Sequence, residues 1–370
     1  MYYYFISLLG SPLEALVFSS QEQVLPNTLV KVPLKSQEKR GVFLRETQKP
    51  SFKTEHIISV ENAYFSDAQI SLASFISEYY VASLGEALML MTPLSTVIEA
   101  QEKKLTCAVK NEEVLLGCKE KIKLNTKQSE AFEFIKKEKI SLLFGDTGSG
   151  KTEIYMKYFQ ELTHTGKRAL FLLPEISLTP QMKIRFEVHF GDAFVLWHSK
   201  MSKKQKEKTL ESILTGQAMI IAGPRSALFL PIENLGIIVV DEEHDDSYKS
   251  SSRPRYHARD VAIYMGKQLG IPVVLGSATP SLTSYVKFPH FRLKGGYHES
   301  SRDFIFEPSR EVMSPLLEEA VSRNVQAKRQ GILFIPTRAN FKYLICEACG
   351  YTLECPFCSV GMSLHVKSNA

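Results

Sequence analysis

Gly145-Asp146-Thr147-Gly148-Ser149-Gly150-Lys151-Thr152 follows the apolar run Ile140–Phe144 and precedes the helical stretch Glu153–Leu162. The octet fits G-x-x-x-x-G-K-[ST], and a strand before it with a helix after it is the context in which that pattern binds phosphate. Glycines let the backbone curl so that its N–H groups face phosphate oxygens, and the helix N-terminus adds a favourable dipole. Lys151 is then placed to reach the β and γ phosphates of a nucleotide, and Thr152 to offer its hydroxyl to Mg²⁺.

Working outward, apolar runs recur at Ala169–Leu173, Ala193–Trp197, Ala218–Ala222, Gly236–Val240 and Pro272–Leu275, most of them separated by helical stretches. That alternation predicts an α/β fold, a parallel sheet with helices on both faces, over residues 121–300. Residues 1–100 differ. Thr28–Pro33 and Gly41–Leu44 are short β-like runs separated by the basic stretch Lys35–Arg40, and Leu72–Leu90 reads as helical, so a small β-rich domain is expected. Residues 101–120 form a charged connector. A new unit, 301–370, opens with Gln330–Ile335 as its expected first strand.

The 370 residues carry a net charge of +5, with 44% hydrophobic and 23% charged residues, which describes an ordinary globular chain. The charge permits a nucleic-acid partner without requiring one. Met1–Gly10 lacks a basic n-region and no run reaches the about 18 apolar residues of a membrane span, so a cytoplasmic protein without a membrane partner is expected. Four of the six cysteines form two knuckles, Cys346-x-x-Cys349 and Cys355-x-x-Cys358, which in a cytosolic chain suggest Zn²⁺. Cys107 and Cys118 are isolated.

The strand Gly236–Val240 runs into Asp241-Glu242-Glu243-His244. A carboxylate at a strand end is what a Mg²⁺·ATP site needs opposite the phosphate loop. Asp241 is expected to hold the metal and Glu242 to orient and deprotonate the attacking water. His244 can hydrogen-bond toward the next motif, Gly276-Ser277-Ala278-Thr279-Pro280, whose Ser277 and Thr279 would couple hydrolysis to an adjoining surface.

These three motifs in this order resemble superfamily 2 helicases, whose ATP-binding lobe is RecA-like. The intervening sequence resembles the primosomal protein N′ family of replication-restart helicases. The matching pieces are Leu124-Asn125-x-x-Gln128, Leu173-Pro174-Glu175-Ile176-x-Leu178-Thr179-Pro180-Gln181, Arg225-Ser226-Ala227-Leu228-Phe229-x-Pro231, Pro254–Asp260 and Tyr79-Tyr80…Leu84-Gly85-Glu86. The resemblance implies an ATP-dependent, 3′-to-5′ DNA helicase that recognises branched forks and restarts replication. It implies as partners forked and single-stranded DNA, primosome proteins and single-stranded DNA-binding protein, with the chain itself a monomer.

Residue by residue, it implies that Gln128 reads the adenine edge and that Thr179, Gln181, Arg225 and Ser226 touch the DNA backbone. It makes Asp246–Asp260 an aromatic-rich loop, with Tyr248, Arg255, Tyr256 and His257 facing DNA. Aromatic and basic residues interleaved in this way suit base stacking combined with phosphate attraction. Lysines within Lys200–Lys208 read instead as the wet face of a helix. The N-terminal domain would bind a DNA 3′ end, with Lys53 at the terminal nucleotide and Leu16 where the family has an acidic residue.

Three departures from the family accompany this resemblance. The connector has no room for a winged helix, Pro336–Lys342 is an unusual version of the motif opening the second lobe, and the sequence stops before most of that lobe, with no G-R-x-G-R segment. The expectation is therefore a truncated chain that binds Mg²⁺·ATP but unwinds DNA poorly or not at all. A non-unwinding fork-binding or scaffold protein and another superfamily 2 translocase are the alternatives. The four cysteines either close one zinc site or, as the resemblance implies, supply half of two.

Overall fold

The computed structural model describes residues 1–92, 94–95, 122–177, 179–296, 304–308, 313–333 and 348–352. Two compact units are present, Met1–Glu299 and Ser300–Ala370.

The first unit opens with an antiparallel sheet of six strands: β1 (Tyr2–Leu8), β2 (Leu16–Ser20), β3 (Thr28–Leu34), β4 (Gln37–Thr47), β5 (Ser59–Tyr64) and β6 (Leu94–Ser95). Their order is β2-β1-β4-β3-β5-β6. Tyr4, Ile6 and Leu8 of β1 share one buried face with Phe18, Val30, Val32 and Phe43, the period of two expected of a half-buried strand. Lys35–Arg40 does not separate the strands as its polarity suggested. Leu34 pairs with Gln37 across a tight turn at Lys35 (φ 55°), and the rest of the stretch is the exposed start of β4.

Two helices follow, α1 (Asp67–Tyr79) and α2 (Leu84–Leu88), instead of one over Leu72–Leu90. The break has a local cause: Val81 takes a left-handed φ of 50°, and Ser83 starts a new helix through a capping box with Glu86. Helix α2 lies directly on β1. A Cβ at Gly85 would stand 2.0 Å from the Leu8 carbonyl oxygen, so only glycine permits this approach.

A seven-stranded parallel sheet forms the rest of this unit. It comprises β7 (Ile140–Gly145), β8 (Arg168–Leu172), β9 (Phe194–Leu196), β10 (Ile220–Gly223), β11 (Leu235–Val240), β12 (Val273–Ser277) and β13 (His290–Leu293). The spatial order is β13-β7-β12-β11-β8-β10-β9. Six of the strands lie where the apolar runs predicted them. The sheet is buried on both faces: Leu142, Ile238 and Val240 belong to one core, and Leu143, Ile237 and Val239 to the other.

Helices α3 (Thr126–Lys137), α4 (Lys151–Thr163) and α5 (Pro180–Phe190) supply residues to the second core. Helices α6 (Lys203–Leu214) and α7 (Ala258–Leu269) supply the first, and α8 (Leu282–Lys287) precedes β13. Leu72, Ile76 and Ala87 of α1 and α2 join that first core, so the N-terminal module and the parallel sheet share apolar packing. Lys203, Lys204 and Lys208 are exposed or half-exposed along α6, the wet face the sequence suggested.

In the second unit, α9 (Pro315–Gln326) is capped by the Ser314 hydroxyl. Gln330–Leu333 form no strand, and the remainder of that expected strand lies outside the described residues, as do Pro336–Lys342, Cys107 and Cys118. Cys349 is exposed in a turn, whereas Cys346, Cys355 and Cys358 lie outside the described residues. Among the described residues, no helix is long and apolar enough to cross a membrane.

Candidate functional site

Strand β7 delivers the chain to Gly145 and α4 carries it away from Lys151. Between them Gly148 (φ 76°) and Gly150 (φ 87°) take left-handed conformations that curl the loop. The space inside is tight: a Cβ at Gly145 would lie 2.6 Å from Ser149 Oγ, and one at Gly150 2.1 Å from Gln128 Nε2. Lys151 is buried, and its Nζ donates to the Gly145 carbonyl at 2.9 Å, holding the ammonium within the loop. Open left-handed turns, a buried lysine and a helix N-terminus together fit a phosphate chain. Thr147 and Gly148 are exposed at its mouth.

Two further contacts brace this loop. Gln128 is buried in α3; its Oε1 accepts from Asn125 N at 2.9 Å and its Nε2 donates to Ser149 O at 3.4 Å. Asp146 pairs with Arg292 Nη2 at 2.5 Å and accepts from Gly295 N at 2.9 Å, while the Arg292 guanidinium lies 4.0 Å from the Phe144 ring centroid. Arg292 sits on β13, the strand sequence reasoning did not foresee.

The sheet order places β12 between β7 and β11, which brings the remaining motifs beside the loop. Asp241 ends β11 and accepts from Tyr155 Oη at 3.2 Å. Burial, then the neighbouring Glu242 charge, pushes its carboxyl up to about 6, against the opposing pull of Lys151. A bound cation would favour the ionised form. Gly276 is obligatory here, because a Cβ would meet Tyr155 Oη at 1.8 Å and Asp241 Oδ1 at 2.8 Å. Glu242 takes a left-handed φ of 48°, rare for a residue with a side chain.

His244 does bridge the motifs: Nδ1 lies 2.7 Å from Ser277 Oγ and Nε2 3.2 Å from Thr279 Oγ1. Ser277 Oγ also accepts from Thr279 N at 2.9 Å. Glu243 received no role from the sequence, yet it is fully buried. It accepts from Ser281 N at 2.7 Å, Ser284 Oγ at 2.8 Å and Arg259 Nη1 at 2.9 Å. Burial alone would raise its carboxyl, but the Ser281 amide, Arg259 and Ser284 outweigh it and hold the group below the usual carboxylate value.

The expected DNA-facing residues divide. Thr179 is exposed and caps α5 by accepting from Met182 N at 3.3 Å; Gln181 and Ser226 are exposed nearby in sequence to it and to Arg225. Arg225 Nη1 is engaged by Ser247 O at 2.6 Å and Lys249 O at 2.8 Å, which braces the aromatic loop. Tyr248 and Tyr256 correct the sequence reading. They are 1% and 4% exposed and so are not stacking platforms in this conformation. Tyr248 Oη donates to Asp241 O at 2.6 Å, and Tyr256 packs edge-on against Phe229 at 5.1 Å. On a loop between two buried elements the rings gain more from packing than from exposure.

Arg255 remains exposed, and His257 is half-buried with its Nδ1 unpartnered. Burial holds the His257 imidazole below its usual value. Away from this cluster, Lys53 is exposed at a cavity of about 600 Å³, which Leu16, Phe5 and Phe52 also line.

Residues 125–288 match the DEAD/DEAH box helicase family, and residues 15–93 match the 3′DNA-binding domain family named for PriA. Over its whole length the chain is 43% identical to the replication restart protein PriA of Helicobacter pylori strain J99. The chain is similar throughout to PriA replication restart proteins. It spans 58% of the length of that Helicobacter protein. The PriA of Bacillus subtilis strain 168 is 38% identical over 66% of the chain and 33% of its own length. Among solved structures, the DUF1998 helicase MrfA aligns over 66% of the chain and 39% of its own, with a TM-score of 0.43 at 19% identity, too low to bear on function.

Proposed function

We propose that the chain binds Mg²⁺·ATP and forms the motor and 3′-end-binding part of an ATP-dependent 3′-to-5′ DNA helicase. Its role is to recognise stalled or branched forks and initiate replication restart and primosome assembly. One observation carries this reading: the phosphate loop and the Asp241–Glu242 turn flank the same central strand, β12, in a chain whose N-terminal module matches a 3′DNA-binding domain.

Gly145–Thr152 would wrap the phosphates, with Lys151 turning from Gly145 O to the β and γ oxygens. Thr152 and Asp241 would hold Mg²⁺, which supplies neutralising charge to those phosphates. Glu242 would take the proton of the attacking water, and Tyr155 fixes the Asp241 carboxyl from behind. The His244–Ser277–Thr279 relay joins this site to the exposed surface at Thr279. Thr179, Gln181, Ser226, Arg255 and His257 would face the DNA, and Lys53 the terminal nucleotide.

Cys346, Cys349, Cys355 and Cys358 are assigned to Zn²⁺ on the donor set alone, since four thiolates suit that ion. Primosome proteins and single-stranded DNA-binding protein are the proposed partners of a cytoplasmic monomer.

The test is ATP hydrolysis by the 370-residue chain with and without forked DNA, with Lys151→Ala as control. Fork-stimulated hydrolysis that Lys151→Ala abolishes supports the reading; hydrolysis indifferent to both overturns it. Elemental analysis of the purified chain reads out zinc directly.

A further inference from the structure

The loop that follows the Asp241–His244 turn has two anchored faces. On one side Tyr248 donates to the Asp241 carbonyl at 2.6 Å. On the other it meets the N-terminal module, at residues that the site as described leaves without a task. Tyr80, at the end of α1, donates to the His257 carbonyl at 3.5 Å, and Lys249 Nζ lies 5.1 Å from the centre of its ring. Glu86 is 8% exposed and divides its carboxylate: Oε2 accepts from Ser83 N at 2.9 Å to cap α2, and Oε1 pairs with Arg253 Nε at 3.2 Å.

The base of the loop is closed by Ser250 N donating to Tyr256 O at 2.8 Å. Phe75 of α1 stacks on Tyr264 of α7 with centroids 3.7 Å apart, so the helices flanking the loop are themselves joined. A nearly buried carboxylate demands a partner, and here the loop's arginine supplies it. The segment Tyr79–Glu86, which matched the family without an assigned role, therefore meets the aromatic loop in space.

We propose that Tyr80 and Glu86 are positioning residues that seat the 246–257 loop against the Asp241 strand, so that the N-terminal module sets how readily DNA at the loop reaches the ATP site. The second clause rests on the proposed function; the first stands on geometry alone. Loop and module form one contact, with Tyr248 as its output to the carboxylate strand. Loosening the module's side leaves the phosphate loop intact while the loop amides open more often.

The experiment uses the 370-residue chain with Glu86→Gln, which retains a capping acceptor but loses the charge, and Tyr80→Phe, which retains the ring but loses the hydroxyl. Hydrogen exchange at the Ser250 and Tyr256 amides is expected to quicken about two- to fivefold, the range of a single partly exposed ion pair. Amides of β1, β4 and Gly145–Thr152 should stay unchanged. Combining Glu86→Gln with Arg253→Gln should add nothing further, since both remove one pair.

With forked DNA, the DNA concentration giving half-maximal ATP hydrolysis should rise by a similar factor while the DNA-free rate holds. Unchanged loop exchange in both variants overturns the proposal, and so does faster exchange spread through β1 and β4, which would mark a general folding role. Quicker loop exchange with an unaltered DNA requirement overturns the coupling and leaves only the seating. Should the unsubstituted chain fail to hydrolyse ATP with DNA, the proposed function and the coupling fall, and the exchange result still decides the seating.

Discussion

The two sheets of the first unit expose their chemistry in opposite ways. In the parallel sheet every residue of β8, β10, β11 and β12 is buried, so no strand face can touch a ligand. The motif residues are confined to the carboxyl ends, where Gly145, Asp241 and Ser277 arrive side by side because β7, β12 and β11 are neighbours. In the antiparallel sheet β1 and β2 keep half-buried residues on a wet face, and a cavity of about 600 Å³ lies there, beside Phe5, Leu16 and Lys53. One sheet is thus a rigid frame for loops, and the other is itself a surface. Substitutions should separate accordingly, harming catalysis in the first and fold or packing in the second.

The largest effect belongs to Lys151. Lys151→Ala should lower ATP hydrolysis by about 10²- to 10³-fold, the scale of losing one preorganised donor to developing charge, with circular dichroism unchanged. Equal loss from a substitution on the wet face of β1 would erase the distinction between the sheets. A pair of glycines sharpens it. At Gly85 an added methyl meets the Leu8 backbone carbonyl at 2.0 Å, which cannot yield, so Gly85→Ala should cost about 3 kcal/mol in urea unfolding. At Gly276 the methyl meets the hydroxyl of the fully buried Tyr155 at 1.8 Å and Asp241 Oδ1 at 2.8 Å. Gly276→Ala should therefore also cost about 3 kcal/mol, and in addition cut hydrolysis more than its stability loss explains.

The smallest contrast is between two helix caps. Ser66→Ala removes the capping box of α1 and Asn125→Ala that of α3, each worth about 1 kcal/mol. Only Asn125→Ala should also weaken nucleotide binding in a fluorescence titration, because the Asn125 Oδ1 accepts from Gln128 N and so fixes the helix turn whose Gln128 amide reaches the phosphate loop. Equal nucleotide affinities in the two variants would detach Gln128 from the site.

Legibility followed the same division. The runs of the parallel sheet stand out because burial on both faces makes whole strands apolar. β13 escaped because His290-Phe291-Arg292-Leu293 is short and mixed, and with it went Arg292 and its hold on Asp146. β1 escaped for the opposite reason: aromatic residues at Tyr2, Tyr3, Tyr4 and Phe5 fill both faces and hide the alternation. The phosphate loop and the Asp241–His244 turn were readable because their chemistry is local. Glu243 was not, since its partners Arg259, Ser281 and Ser284 gather only in the folded chain. Tyr248 and Tyr256 misled because sequence shows ring type, and only packing decides whether a ring points to solvent.

The left-handed backbone at Glu242 has a further consequence. Glycine or asparagine would sit there with less strain than glutamate, by roughly 1 kcal/mol for relief of the Cβ contact. A library of this chain screened for heat resistance alone would thus be drawn toward residues that delete the carboxylate. With Glu242 as the proposed base, selection for durability and selection for turnover would pull position 242 in opposite directions.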